Sequence, residues 1–251
     1  MLNERRTQIL ETVNQRGTVM FSTLMQMFPD VSEMTLRKDL KNLDEEGRLV
    51  RIHGGARSLD TVHGVDTPLT QRLSQNIDLK REIALKARAL VQSETTVFLD
   101  SGSTMTELAK AFPDVPCAVF TGGLSCVQEL SRLEHADIYV LGGRLNKSSM
   151  SMRDARLAHD LESLYFDLAF ISVNGFSMEN GFSCRSSDRW HMERTVVSRA
   201  ARVVVLMDST KVGRVCPFSI CRPDSIDVLV SDGGLDKEAC RMLESAGIEV
   251  L

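Results

Sequence analysis

The apolar positions in residues 31–56, VSEMTLRKDLKNLDEEGRLVRIHGGA, change period part-way along. Leu36, Leu40 and Leu43 recur at i, i+4 and i+7, which predicts a helix with one buried stripe. Ser32 stands where its hydroxyl can accept from the free amides of the first turn. Gly47 supplies a left-handed stop. After it, residues 48–52 read as a strand, Gly54-Gly55 as a turn, and Arg57 closes the segment. Off the stripe the helix carries Thr35, Arg37, Lys38 and Lys41. A helix plus a hairpin, both bearing Lys and Arg, suits a groove reader with a wing on the phosphate backbone. Taken alone, the segment fits an ordinary solvated surface helix equally well.

Two helices are expected before it. Ile9, Leu10 and Val13 give the apolar face of the first, from a cap at Asn3 to about Arg16, with Gly17 ending it. Residues 18–21 are extended. Ser22 is placed to cap a second helix carrying Leu24, Met25 and Phe28, which Pro29-Asp30 breaks. Three short helices, a tight turn and a hairpin are the layout of a winged helix-turn-helix, here over residues 1–57. Residues 58–78 lose the periodicity and hold Ser58, Thr61, Gly64, Pro68 and Asn76, so they read as a linker with a short helix at its end.

Residues 79–251 alternate. A helix over 79–91, capped by Asp78, buries Ile83, Ala84, Ala87 and Leu90. Strands follow at 96–99, 117–120, 137–141, 168–173, 203–207 and 226–230, with a last extended piece at 248–251. Helices are expected from about 103, up to 133, and over 152–165, 187–200 and 236–246. Near-continuous apolar strands with helices between them predict an α/β domain with a mostly parallel sheet covered on both faces.

Composition changes this picture little. The chain has 251 residues and a net charge of −4; the first 57 carry nine Lys and Arg against eight Asp and Glu, net +1, leaving −5 for the rest. Asp44, Glu45 and Glu46 gather at one helix end and leave a local cationic face. No apolar run approaches the roughly 18 residues of a spanning helix, and MLNERRTQIL lacks a signal-peptide core. A cytoplasmic protein without a membrane partner is expected. Six cysteines (Cys117, Cys126, Cys184, Cys216, Cys221, Cys240) show no C-x-x-C spacing and no His at ligand spacing, so buried free thiols are expected and a metal is not. No cofactor is indicated.

In an open α/β sheet, ligands bind at the carboxyl ends of the strands. The first strand is followed by Asp100-Ser101-Gly102-Ser103-Thr104, small residues that let backbone amides converge at a helix N-terminus, where an anion is favoured. A plain strand-helix turn has the same form. The later strands end in Thr121-Gly122-Gly123, Gly142-Gly143-Arg144, Asn174-Gly175 and Asp208-Ser209-Thr210-Lys211. Five such ends at one sheet edge place an Arg, a Lys, two Asp and several hydroxyls around one crevice, which suits a phosphorylated polyol.

These residues resemble the DeoR family of bacterial transcription regulators over nearly the whole chain. The N-terminal likeness lies in Val31-Ser32, the run from Thr35 through Leu36, Arg37, Lys38 and Asp39 to Leu40, then Leu43, Gly47 and Arg51-Ile52-His53-Gly54-Gly55-Ala56. The C-terminal likeness lies in Arg72, Lys80, Ile83-Ala84, the Leu99 to Thr104 turn, Leu141-Gly142-Gly143 and Asp208-Ser209-Thr210-Lys211. The resemblance implies a sensor domain related to ribose-5-phosphate isomerase-like folds and responsive to sugar phosphates. It implies that Asp100, Ser101, Ser103, Thr104 and Lys211 lie in the effector pocket and that the helix at 32–43 reads DNA. Two departures stand out. Thr121-Gly122 replaces the usual Thr-Asn, and Arg189-Trp190-His191-Met192-Glu193 replaces the usual acidic-Ala-x-x-Lys, so Arg185 or Arg189 becomes the candidate cation.

The first functional expectation is a repressor that binds a double-stranded operator and is released or retuned by a phosphorylated sugar or sugar acid. Lys38, Lys41, Arg51 and Arg57 would hold phosphates, while Thr35 and Arg37 would reach base edges, with Arg suited to guanine. Ser22, Ser32, Glu33 and His53 complete the expected DNA-facing set. Gly102, Thr121, Gly122, Gly143, Arg144, Asn174 and Asp208 complete the expected effector set. Two readers per operator imply an even-numbered homo-oligomer, a dimer or tetramer. The alternative is a sugar-phosphate isomerase with a fused DNA-binding module, using Asp100 or Asp208 as base; no dedicated acid partner accompanies either. A module that only contacts another protein is a third reading, which the charged face disfavours. His53 and His63 suit hydrogen bonding better than metal binding. Trp190 is read either as a sugar-stacking ring or as a buried helix residue.

Overall fold

The structure, a computed structural model, describes residues 2–46, 48–52, 54–58 and 67–251. They form two compact units, Met1–Thr67 and Pro68–Leu251. Gly47, His53 and His63 lie outside the described residues.

The first unit contains α1 (Leu2–Arg16), β1 (Thr18–Met20), α2 (Phe21–Met27), α3 (Glu33–Glu45), β2 (Val50–Ile52) and β3 (Gly55–Arg57). Ile9, Leu10 and Val13 of α1 meet Leu24 of α2 and Leu36, Leu40 and Leu43 of α3 in one core, closed by Val19, Leu49 and Ala56. Ser32 caps α3, its Oγ accepting from the Thr35 amide at 3.3 Å. Two expected caps are corrected. Asn3 lies inside α1, and α2 starts one residue before Ser22, on the extended Met20, with no side-chain cap. The extended piece before α2 is more than a connector: it pairs with β3, giving a three-stranded antiparallel sheet in the order β1-β3-β2.

That sheet explains Gly55. Its Cα pairs with Met20, and a Cβ there would stand 2.2 Å from the Val19 carbonyl oxygen. Gly55→Ala should therefore push β3 off β1 and destabilise the first unit by about 1–3 kcal/mol, the range for forced overpacking. Urea unfolding followed by circular dichroism tests this; unchanged stability would mean that β1 gives way at no cost.

The second unit starts earlier than expected. The pattern predicts a linker over residues 58–78, but from Pro68 the chain belongs to this unit. α4 (Leu69–Ser74) buries Leu69, whose amide donates to the Ser148 carbonyl at 2.7 Å. α5 (Ile77–Ala87) begins after Asn76 in a left-handed conformation, so Asp78 is inside the helix rather than its cap. A single 3-10 turn (Arg88–Leu90) extends it. The elements that follow are β4 (Thr96–Leu99), α6 (Ser103–Ala111), β5 (Cys117–Thr121), α7 (Leu124–Leu130), β6 (Ala136–Val140), β7 (Arg144–Asn146), β8 (Ser151–Arg153), α8 (Ala155–Leu161) and β9 (Leu168–Ser172). Then come β10 (Gly175–Ser177), β11 (Gly181–Cys184), α9 (Ser187–Arg199), β12 (Val203–Leu206), β13 (Phe218–Cys221), β14 (Val228–Val230), α10 (Lys237–Ser245) and β15 (Glu249–Val250).

Seven parallel strands form the main sheet in the order β15-β14-β12-β9-β4-β5-β6. Alternate side chains feed two cores. Val97, Leu99, Val119, Phe170, Val204 and Leu206 pack with Ile83, Met105, Leu108 and Leu130 on one face. Phe98, Ala169, Ile171 and Val205 pack with Leu161, Met192, Val196 and Leu243 on the other. The α/β class is thus as expected. The helix expected over 152–165 is corrected: Met152 and Arg153 belong to the β7–β8 hairpin, and Asp154 caps α8 by accepting from the Arg156 amide at 3.0 Å. A second antiparallel sheet, β10-β11-β13, was also not anticipated. Trp190 is a packing residue, tilted against Phe218, with Nε1 donating to the Ser219 carbonyl at 2.6 Å. Among the described residues all six cysteines are free thiols; four are buried, and burial raises those of Cys117, Cys126, Cys184 and Cys221.

Candidate functional site

Each unit holds a candidate site. On α3 the apolar stripe faces the core, which leaves Ser32, Glu33, Arg37, Lys38 and Lys41 exposed. The Arg37 Nε donates to Glu33 Oε1 at 2.8 Å, and its Cζ lies 4.5 Å from the centroid of the Phe21 ring on α2. Thr35 is half-buried, and its hydroxyl shares a 2.8 Å hydrogen bond with Ser32. Lys41 stands 3.5 Å from Glu45. Arg51 is exposed on β2, and its amide donates to Asp44 Oδ1 at 3.2 Å. Arg57 is half-buried on β3 and donates to the Thr18 hydroxyl at 3.3 Å. Ser22 is exposed at the start of α2. The acids noted at the helix end are engaged locally, Asp44 with a strand amide and Glu45 with Lys41.

The second site lies at the carboxyl ends of β4, β9 and β12. Asp100, fully buried after β4, accepts on Oδ2 from the Ser172 amide at 3.0 Å and the Ser172 hydroxyl at 2.8 Å. Arg189 of α9 donates to the same oxygen at 3.0 Å, to the Ser172 carbonyl at 3.0 Å, and to Glu193. One guanidinium therefore serves two carboxylates, with Arg189 5% exposed and both acids 0%. Burial, with Asp100 adding to it, lifts the Glu193 carboxyl to about 8 despite the opposing Arg189. Among the described residues, Asp100 Oδ1 and Glu193 Oε2 are buried with no hydrogen-bond partner.

Beside this network Gly102 opens α6 at φ 124°, a conformation that a side chain strains. A Cβ there would stand 3.5 Å from Ser172 Oγ and 3.6 Å from an Arg72 nitrogen. Ser103 and Thr104 are buried in the first turn, and no side chain caps the helix amides. Cations gather on the same side. Lys80 is buried and donates to the Arg72 carbonyl at 2.6 Å and to that of Gln75. Lys211 donates to the Val173 carbonyl at 2.9 Å and lies 3.8 Å from Asp208. Burial first, then Lys211, brings Lys80 down to about 8; burial also lowers Lys211, against the pull of Asp208. Burial would raise Asp208, but Lys211, the Thr210 hydroxyl, Lys80 and Arg214 outweigh it and hold the carboxyl below its ordinary range.

A cleft next to this network is lined by Ser101, Gly122, Ser151, Met152, Arg153, Asp154, Leu157, Asp188, Arg189 and Met192. Of the expected set, Ser101 and Gly122 line the cleft, Asp100 stands in the Arg189 network, Asp208 and Lys211 in the lysine cluster, and Gly102, Ser103 and Thr104 at the start of α6. Asn174 joins through its Oδ1, which accepts from the Arg185 amide at 3.3 Å and from Arg189 at 3.5 Å. Thr121 is buried, and its hydroxyl accepts from the Gly123 amide at 3.1 Å. Gly143 abuts Arg153 and Asp154, and Arg144 is exposed on β7, opposite the cleft-lining Arg153. Ser172, Arg153, Asp154, Asp188 and Met192 were not anticipated. Arg189 was flagged only by the departure from the family pattern. No group of acids, histidines and cysteines able to hold a metal occurs among the described residues, and no helix there is long and apolar enough to cross a membrane.

Comparison with known proteins now adds to this geometry. The family model described as the DeoR-like helix-turn-helix domain matches residues 5–62, and that described as the DeoR C terminal sensor domain matches residues 75–233. The chain is 30% identical to a putative aga operon transcriptional repressor of Escherichia coli O157:H7, over 99% of this chain and 93% of that one. It is 31% identical to the HTH-type transcriptional repressor GlcR of Bacillus subtilis (strain 168), over 99% and 95%. It is 30% identical to a lactose phosphotransferase system repressor of Streptococcus mutans, over 91% of each. Among solved structures, ribose 5-phosphate isomerase A from Methanocaldococcus jannaschii matches with a TM-score of 0.41 and 17% identity, over 55% of each chain.

Proposed function

The chain belongs to the DeoR family of transcription regulators and is a DNA-binding regulator rather than an enzyme, and from that premise we propose that it is a cytoplasmic repressor whose effector is a phosphorylated sugar or sugar acid. The observation that carries the effector class is the Gly102 turn at the start of α6, which has Arg72 beside it and the Lys80, Lys211 and Asp208 cluster on the same side. A phosphate ester suits a helix N-terminus flanked by the buried Lys80 and the half-buried Lys211. Asp100 Oδ1 stands ready for a ligand hydroxyl. On the first unit, Arg37 reads a base edge, and Lys38, Lys41, Arg51 and Arg57 hold phosphates. Two such units per operator require an even-numbered homo-oligomer.

A thermal-shift panel of sugar phosphates, sugar-acid phosphates, the parent sugars and inorganic phosphate tests the effector class. A cognate ester at 100 times its Kd should add about 2.7 kcal/mol and raise the melting point by several degrees. Neutral parent sugars with equal shifts would overturn the reading. The shift should also depend on pH in one direction. Lys80 titrates at about 8 in the folded protein against 10.5 ordinarily, and an anion binds its charged form. Ester affinity should thus be greatest below pH 8 and fall from pH 8 to pH 9.5, while the stability of the ligand-free unit rises over that window as the buried ammonium is lost.

A further inference from the structure

Arg37 is the base reader in the proposed function, but a flexible arginine on an exposed helix discriminates poorly, because its rotamers must be ordered on binding. In this chain it is already ordered from two sides. Nε and a terminal nitrogen both approach Glu33 Oε1, at 2.8 and 2.7 Å, one turn earlier on α3. The guanidinium carbon sits 4.5 Å from the centre of the Phe21 ring, which belongs to α2. Two elements therefore fix the plane of one group. Arg37 and Glu33 are each 59% exposed, so neither contact serves the core. The neighbouring Thr35 is half-buried, and its hydroxyl shares a hydrogen bond with the Ser32 cap.

We propose that Glu33 is a positioning residue: its carboxylate and the Phe21 ring hold the Arg37 guanidinium in one orientation, with its remaining donors directed at the O6 and N7 edge of a guanine. Glu33 itself touches no base and repels the backbone. Its contribution is to affinity for the guanine-bearing duplex over others and not to non-specific affinity. This rests on the reading of α3 as the groove helix and of Arg37 as its reader.

The test uses the full chain and selection from a random duplex library, followed by affinities for the selected duplex and single-base variants over a salt series. The intact chain should prefer guanine at one position per half-site by about tenfold or more. Arg37→Ala should abolish that preference. Glu33→Ala should cut it to about two- to threefold with the salt slope unchanged, since no phosphate contact is lost. Glu33→Gln keeps an oxygen at the same reach and should retain most of the preference, and Phe21→Leu should behave like Glu33→Ala. On an Arg37→Ala background, Glu33→Ala should change nothing. Thermal melts of each variant confirm the fold, and Glu33 is exposed enough for truncation to leave it intact. Full selectivity in Glu33→Ala overturns the proposal, as does a change in preference from Glu33→Ala when Arg37 is already absent, which would make Glu33 a direct reader. If Arg37→Ala keeps the guanine preference, the reading of α3 fails first and the positioning role with it; if Arg37→Ala loses it and Glu33→Ala does not, only the positioning role fails.

Discussion

Arg189→Ala should destabilise the second unit by about 3–5 kcal/mol at pH 8 and above, the range for removing one partner of a buried ionic cluster. Among the described residues the guanidinium is the one cation in hydrogen-bond contact with Asp100 and Glu193, which are wholly buried. Its removal also takes the donor from the Ser172 carbonyl and hydroxyl. Denaturant unfolding followed by fluorescence of Trp190, the sole tryptophan and a residue of α9 itself, reports the loss. A variant within 1 kcal/mol of the parent across pH 5 to 9 would show that α9 carries Arg189 for another reason.

The pH arm of that experiment has a fixed sign. The Glu193 carboxyl is raised to about 8 from an ordinary 4.5. Between those values the unfolded chain has released the proton and the folded chain keeps it, so stability falls as pH rises through the window. Without Arg189 the carboxyl is raised further. The deficit of Arg189→Ala should therefore be smallest and level below pH 8 and grow as pH rises above it. Glu193→Gln, a permanent stand-in for the protonated acid, should flatten the pH dependence of the parent and recover part of the loss in the double variant. A deficit that grows toward acid would exclude this account.

The seven strands of the main sheet were legible because each is a short apolar run bounded by polar turns, and a parallel sheet buried on both faces requires that pattern. The strand-end turns were legible for the same reason: Asp100 to Thr104 and Asp208 to Lys211 follow their strands directly. The antiparallel pieces were not. β10 and β11 span three and four residues around the NGFSMENGFSC run, too short for alternation to show. The helix expected over 152–165 runs through Arg153, whereas Asp154 caps it later and leaves Arg153 in a hairpin. Cleft residues that arrive from helices were hidden by distance. Spacing places Arg189 and Glu193 on one face of α9, but it does not say which sheet end that face meets. Lys80 stands out in the sequence only through its likeness to the family pattern, and spacing does not show that the Arg72 and Gln75 carbonyls hold its ammonium.

Asp39 raises the same problem in the first unit, and its substitution should have the second large effect. An aspartate between Lys38 and Leu40 reads as part of a solvated helix face, yet it is buried, and both its oxygens accept from α1. Arg5 donates at 2.7 Å and Arg6 at 3.0 Å. This clamp joins α1 to α3 beside the Leu36 and Leu40 core. Asp39→Ala leaves two mostly buried guanidiniums facing one another without their shared counter-charge. Some water reaches both arginines, so the expected loss is about 2–4 kcal/mol, below that of a fully buried cluster. Asp39→Asn should lose nearly as much, because the amide keeps the shape but not the charge. Arg6→Ala should lose less than Asp39→Ala, since Arg5 still pairs with the carboxylate. Calorimetry of the full chain separates the two units. The transition of the first should move down and operator affinity should weaken with it, while the shift caused by a phosphate ester in the second stays in place. If the first transition does not move, α1 and α3 are held by their apolar stripes alone and the clamp adds nothing.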